Sequence, residues 1–406
     1  MNQEQQAVDA LYKTHFGKLV IAMLQFSRDI DLEMAEDLVQ DAFYAALSTW
    51  KDNGIPDNPA GWAYKVCRNN AINSLKRKNV FKNPFEEDIG IVRATEQDES
   101  IFDDRKIQLL FACAHPSLSP KMQVVITLKY VTNLRIESIS RALGMTIDGI
   151  DKILARAKQR IKMENIFLKE PSPRQLQMRL PVVHKIIYLI FNEGYRAGSG
   201  KEIIRQELCE ESLITIKSLL DNHISNEETA ALYALLLFNA ARLGARFTAA
   251  GELLDLEEQD RTLWNGDLIA LGSYYLSQSK IENVSCYHYE AAIAYLHCKA
   301  KSFADTDWVT ISKLYEKLLK DNPNPFIKLN YAISLYYDSH RQEAFSLLHD
   351  LQQTFLEQYY LLHATLGKLY LLEGEYIKSE VHLTKALSLT SFKAEKEFIK
   401  KMLLKS

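Results

Sequence analysis

Glycine and proline are scarce in this chain, 15 and 10 in 406 residues. Helix interiors exclude both, glycine for its backbone entropy and proline for its missing N–H, so the shortage argues for helices and against a turn-rich β architecture. Cysteine is scarcer still. Cys67, Cys113, Cys209, Cys286 and Cys298 are scattered and form no CxxC pair. That pattern argues against a zinc site or a disulfide framework and fits a reducing compartment. Long apolar runs are missing too: the longest, Ala230 to Phe238, is far short of the ~20 residues a membrane helix needs, so no membrane partner is expected. The opening residues MNQEQQAVDALYKTHF are polar and show no signal-peptide pattern, so the expected location is cytoplasmic. There is no HExxH, GxxxxGK(S/T) or GxSxG motif, and the 10 histidines are scattered. Neither an enzyme nor a metal or cofactor requirement is expected. No sign of charge dominates either, with 49 Lys and Arg against 52 Asp and Glu. Any nucleic-acid surface must therefore be local.

What is present is helical periodicity. Val8, Leu11, Tyr12, Leu19, Val20 and Met23 recur at three- and four-residue steps, and a second helix is predicted from near Asp31. DNGIPDNP (52–59) breaks the chain before a further helix from Trp62 to about Lys78. The acidic, aperiodic stretch 81–104 reads as a linker. Periodicity returns over 105–168, and EPSPRQ (170–175) marks a second boundary. From 176 to 406 one helix follows another. LNYAISLYYDSHRQEAFSLL (329–348) and LHATLGKLYLLEGEYIKSEVHL (362–383) share small and aromatic residues at an offset near 34, which suggests tetratricopeptide-type helix pairs beside generic helical packing. The fold class is all-α: two small helical modules (1–80 and 105–168, the second a helix-turn-helix) joined by the linker, then a larger helical domain (176–406).

Two constellations point to nucleic acid. RIESISRALGMTIDGIDKILARAKQRI (135–161) has helix-turn-helix grammar. Ile139 and Leu143 face inward on the first helix, Ser140 is small at the crossing, Gly144 supplies the turn and Thr146 caps the second helix. On that second helix Ile147, Ile150, Leu154, Ala157 and Ile161 point inward. Asp148, Gly149, Lys152, Arg156 and Arg160 point outward, where a major groove would receive them. NPAGWAYKVCRNNAINSLKRKNVFK (58–82) holds six Lys and Arg and no acid. Lys65, Arg68, Asn69, Asn73 and Lys76 share one side of its helix, opposite Ala63, Val66, Cys67 and Ala71. Amide side chains offer donor and acceptor to the edge of an unpaired base, and the cations suit phosphates. Trp62 either stacks on a base or belongs to the core. For both segments the plainer alternative is a solvated helix face.

At these segments the sequence resembles the extracytoplasmic-function group of the sigma-70 superfamily. AEDLVQDAFYAALSTW (35–50) is similar to that family's polymerase-binding helix, GWAYKVCRNNAINSLKRK (61–78) to its promoter-melting and minus-ten segment, and the helix-turn-helix to its minus-thirty-five reader. LPVVHKIIYLIFNEGYRAGSG (180–200) and LLDLEEQDRTLWNGDLIALG (253–272) resemble the subgroup that carries a C-terminal tetratricopeptide-like domain. The resemblance implies a subunit that directs core RNA polymerase to promoter DNA. Asp37, Gln40 and Asp41 would face the polymerase. Asn69 would line a pocket for a flipped minus-ten base, with Trp62, Lys65, Arg68, Asn73, Lys76 and Arg77 along the strand. Thr146, Asp148, Gly149, Lys152, Arg156 and Arg160 would face the minus-thirty-five duplex. The extension would modulate activity, through intramolecular contact with the two modules.

Within the extension, Asn192, Glu193, Tyr195 and Arg196 form either a polar site at a helix end or a plain helix stop. EEQDRTLW (257–264) is either an interdomain contact or a solvated turn. The rival reading is a helix-turn-helix regulator with a tetratricopeptide-like sensor domain that acts without core polymerase; residues 35–50 and 58–82 argue against it, because a repressor needs neither.

Overall fold

The computed structural model describes residues 3–27, 29–79, 100–132, 134–143, 145–164, 166, 171–195, 206–279, 284–390 and 392–405. Most of the expected linker, together with Gly144 and Arg196, lies outside them. Among the described residues the chain is all-α, with one isolated β-bridge between Phe247 and Leu253. It divides into two compact units, residues 1–190 and 191–406.

The first unit holds α1 (Gln3–Phe26), α2 (Leu32–Asn53), α3 (Pro59–Asn79), α4 (Ser100–Cys113), α5 (Pro120–Ile126), α6 (Ile136–Leu143), α7 (Ile147–Met163) and most of α8 (Pro173–Tyr195). The starts and stops follow local chemistry. Asp31 caps α2 by accepting from the Met34 N–H at 2.9 Å, and Gly54 ends it at φ 79°, a conformation that costs glycine little. Asn58 accepts from the Gly61 N–H at 2.8 Å at the head of α3, and Ser119 caps α5 ahead of Pro120. Helix α1 packs on α2, where the Phe43 ring meets Tyr12 and Phe16, and Phe43, Trp50 and, on α4, Phe111 are buried. The division between the two compact units falls inside α8, after Ile190. The reason is packing: buried Arg179 donates to the Phe111 carbonyl at 2.7 Å, and Leu180, Val183, Ile186 and Ile187 are buried with it.

The second unit runs through α9 (Gln206–Asp221), α10 (Glu227–Ala241), α11 (Gly266–Gln278), α12 (Cys286–Lys299), α13 (Trp308–Asp321), α14 (Pro325–Tyr337), α15 (Arg341–Leu351), α16 (Tyr360–Leu372), α17 (Tyr376–Leu389) and α18 (Lys393–Leu403). Helix α10 contains the longest apolar run and is buried on nearly every side, as a helix without a polar face must be. Helices α14 and α15 recur as α16 and α17 at an offset of 35 residues. The turns repeat as well, with Ser339 at φ 66° and Gly374 at φ 75°. Tyr336 ties the pairs together by donating to Glu373 at 2.7 Å. The loop before α11 is held inside the unit: Lys368 bridges Asp255 at 2.6 Å and Glu257 at 3.0 Å.

Candidate nucleic-acid interface

Burial of Leu38, Val39, Ala42, Phe43 and Ala46 on the inner side of α2 leaves Asp37, Gln40 and Asp41 exposed together on the outer one. Tyr44, 71% exposed, and exposed Leu47 extend that surface. Sequence reasoning passed over these two, although they continue the same three- and four-residue spacing.

Helix α3 keeps the division the sequence predicts. Ala63, Cys67 and Ala71 are buried, while Val66, expected with them, is half-buried. Lys65, Asn69, Asn73, Lys76 and Arg77 are exposed, and Arg68 and Ile72 are half-buried. None of these cations forms an ion pair among the described residues, so each is available to an anion. Burial pushes the Cys67 thiol up to about 12, which keeps it neutral beside them. Half-buried Trp62 meets buried Trp50 edge-on, with ring centroids 5.5 Å apart. One side of the indole therefore belongs to the core.

The helix-turn-helix is formed by α6 and α7. Thr146 caps α7 by accepting from the Gly149 N–H at 3.2 Å. A Cβ at Gly149 would come 3.1 Å from that same hydroxyl oxygen, so glycine gives the cap room. The Ser140 hydroxyl donates to the Met145 carbonyl across the turn. Ile139, Ile150, Leu154, Ala157 and Ile161 are buried. Ile147 departs from its expected inward position and is 46% exposed, because as the first residue of α7 it precedes the turn that packs. Asp148, Lys152 and Arg156 are exposed and Gly149 is half-buried. Arg160 is exposed as well, and it pairs with Glu164 at 2.9 Å.

The two modules touch. Glu36 on α2 accepts from the Tyr130 hydroxyl at 2.9 Å and pairs with Lys158 of α7. Lys162 reaches Asp31 at 2.9 Å, and that hydrogen bond, more than the charge alone, raises the Lys162 pKa. Tyr130 is almost wholly buried and sits on a π-helical turn, Thr127–Val131, that continues α5. Burial, then the Glu36 charge, hold its phenol protonated well above the ordinary range. At Gly17 a Cβ would lie 1.7 Å from the Tyr130 carbonyl oxygen, so only glycine lets α1 come this close.

Residues 11–80 match the family model described as Sigma-70 region 2. The chain carries a sigma-70 region 2. The matched stretch contains both the α2 and α3 faces. It is also 30% identical over 390 residues to "Uncharacterized protein R00370" of Rhizobium meliloti (strain 1021), an alignment covering 94% of this chain and 92% of that one; the two belong to one family. Residues 179–280 match a family of unknown function, DUF6596. No solved structure matches the chain. Sigma-70 proteins are transcription initiation factors and not enzymes. Among the described residues, no helix is long and apolar enough to cross a membrane, and no group of three or more His, Cys, Asp and Glu is placed to hold a metal ion.

Three of the four polar residues singled out at the end of α8 are described. Glu193 is buried, Asn192 and Tyr195 are half-buried, and Arg196 lies outside the described residues. Tyr195 serves Arg246: its carbonyl accepts from the guanidinium, whose carbon lies 4.0 Å from the ring centroid.

Proposed function

We propose that this protein is a sigma factor of the extracytoplasmic-function type. Its α2 face docks on core RNA polymerase, α7 reads the minus-thirty-five duplex and α3 holds the opened minus-ten strand. The observation that carries this reading is the cationic face of α3, free of ion pairs among the described residues, together with exposed Lys152 and Arg156 on α7, in one unit with the exposed α2 face. Each face is presented by a helix whose opposite side is core, so the reading side chains stand on a rigid support.

The protein does no bond chemistry. Lys152 and Arg156 engage phosphates, while Asp148 and Gly149 at the head of α7 lie nearest the base edges. On α3 the Asn69 amide pairs with the edge of an extruded base. Lys65, Arg68, Asn73, Lys76 and Arg77 hold the strand, and trapping the base offsets a few kcal/mol of unstacking. The helical extension modulates these steps; the 35-residue recurrence of its helix pairs supports a tetratricopeptide-like character.

Opening of the contact through Glu36, Tyr130 and Lys158 would let the α3 and α7 faces separate along the promoter. The test of the reading is co-purification with core polymerase. Wild type is retained, and a triple variant Asp37→Ala, Gln40→Ala, Asp41→Ala washes through while its circular dichroism stays unchanged. Equal retention of both proteins contradicts docking through α2.

A further inference from the structure

In the second unit, two arginines share one indole, and neither forms an ion pair among the described residues. The guanidinium carbon of Arg242, at the end of α10, lies 5.3 Å from the Trp264 ring centroid, and that of Arg261 lies 4.7 Å from it. Arg261 spends one nitrogen, Nη1, on the open carbonyls that end α12, those of His297 and Ala300. Its Nη2 has no acceptor. Arg242 Nε, Trp264 Nε1 and His297 Nδ1 are likewise buried without a partner, and Trp264 is only 7% exposed. Burial first, then the two guanidiniums, push the His297 imidazole down to about 3, so it stays neutral and adds no third charge. Asp305 is the acid that favours Arg261 in its charged form, yet it forms no ion pair with it and accepts from Ser302 at 2.7 Å instead.

We propose that Arg242, Arg261, Trp264 and His297 form a binding site for a small dianionic oxyanion of the phosphate type. Two fixed positive charges set the charge of the occupant: a dianion neutralises both, and a single carboxylate leaves one unpaired in a partly desolvated site. The four unpartnered atoms can each donate, which suits an acceptor-only group with several oxygens. An occupant would tie the end of α10, the turn before α11 and the end of α12 together, so binding also stabilises the fold.

The test uses the full chain, titrated with sodium phosphate, sodium sulfate, sodium acetate and glycerol 3-phosphate at fixed ionic strength. Calorimetry gives the affinity and a thermal melt gives the linked stabilisation. Saturable one-to-one phosphate binding, competition by sulfate and none by acetate support the site. Tighter binding of glycerol 3-phosphate assigns it to phosphate esters, and tighter binding of phosphate assigns it to the free ion. Trp264→Phe keeps the aromatic face and removes the N–H, and weakens binding about tenfold. Arg242→Met weakens it by about thirtyfold or more. If Arg242→Met fails to fold, the conservative Trp264→Phe carries the test alone. No saturation below about 10 mM phosphate, acetate binding as tight as phosphate, or wild-type affinity in Trp264→Phe each overturns the proposal.

Discussion

Replacing Glu36 by alanine removes the acceptor through which α2 holds Tyr130 and, on α7, Lys158. The Tyr130 hydroxyl is buried and donates to a carboxylate at 2.9 Å. A hydrogen bond to a charged group contributes about 1.5–3 kcal/mol. The Lys158 pair contributes less. Its side chains are 35% and 17% exposed, so solvent screening holds it to about 0–1 kcal/mol. About 2 kcal/mol in all corresponds to about a 30-fold rise in the ratio of open to closed molecules. Single-molecule energy transfer between dyes at Asp52 and Gln159, both exposed, reads that ratio directly. Glu36→Gln keeps an acceptor for Tyr130 and gives up only the charge, so it falls between wild type and alanine. A change of less than about threefold in Glu36→Ala, equivalent to roughly 0.6 kcal/mol, would refute the argument that this carboxylate holds the modules together.

Gly17→Ala acts on the same junction by sterics. The new methyl would sit 1.7 Å from the Tyr130 carbonyl oxygen, so the open form dominates in the energy-transfer assay, and an unchanged distribution contradicts the packing of α1. Lys152→Ala with Arg156→Ala weakens promoter binding by the polymerase complex and lowers the slope of log affinity against log salt by about one for each phosphate no longer neutralised. An unchanged slope places both side chains away from DNA. Acid lowers the melting temperature through His382, whose pKa is pushed down from 6.5 to about 4 by burial first, then by His363 and His349, against Glu357. The unfolded chain takes up the proton that the folded chain refuses, so stability falls as pH drops from about 6.5 toward 4. His382→Gln flattens that part of the profile, and an equally steep profile in the variant assigns the effect to other groups.

Local periodicity made the helices and their outward faces legible. The spacing of Asp37, Gln40 and Asp41 against Leu38, Val39 and Ala42 suffices to put the first three on one side of α2, and Lys65, Asn69 and Asn73 follow the same rule on α3. Cap chemistry at Thr146 was readable for a similar reason, since its partner lies three residues away. Pairings between distant residues left no such trace. Glu36 meets Tyr130 94 residues on and Lys158 122 residues on, and no period links them. Arg179 was hidden likewise: two nearby prolines suggested a boundary, while its guanidinium reaches back 68 residues to Phe111. EEQDRTLW stood out by composition, but its role depends on Arg242 and His297, which periodicity gives no reason to pair with it. Ile147 shows the limit of a helical wheel at a terminus, where the inward direction exists and the neighbour does not.

Run-off transcription with purified core RNA polymerase on genomic fragments tests the central claim most directly. Wild-type protein directs initiation at discrete start sites, and Asn69→Ala binds core normally but loses most open-complex formation. Absence of any start site above the level of core alone would contradict the account.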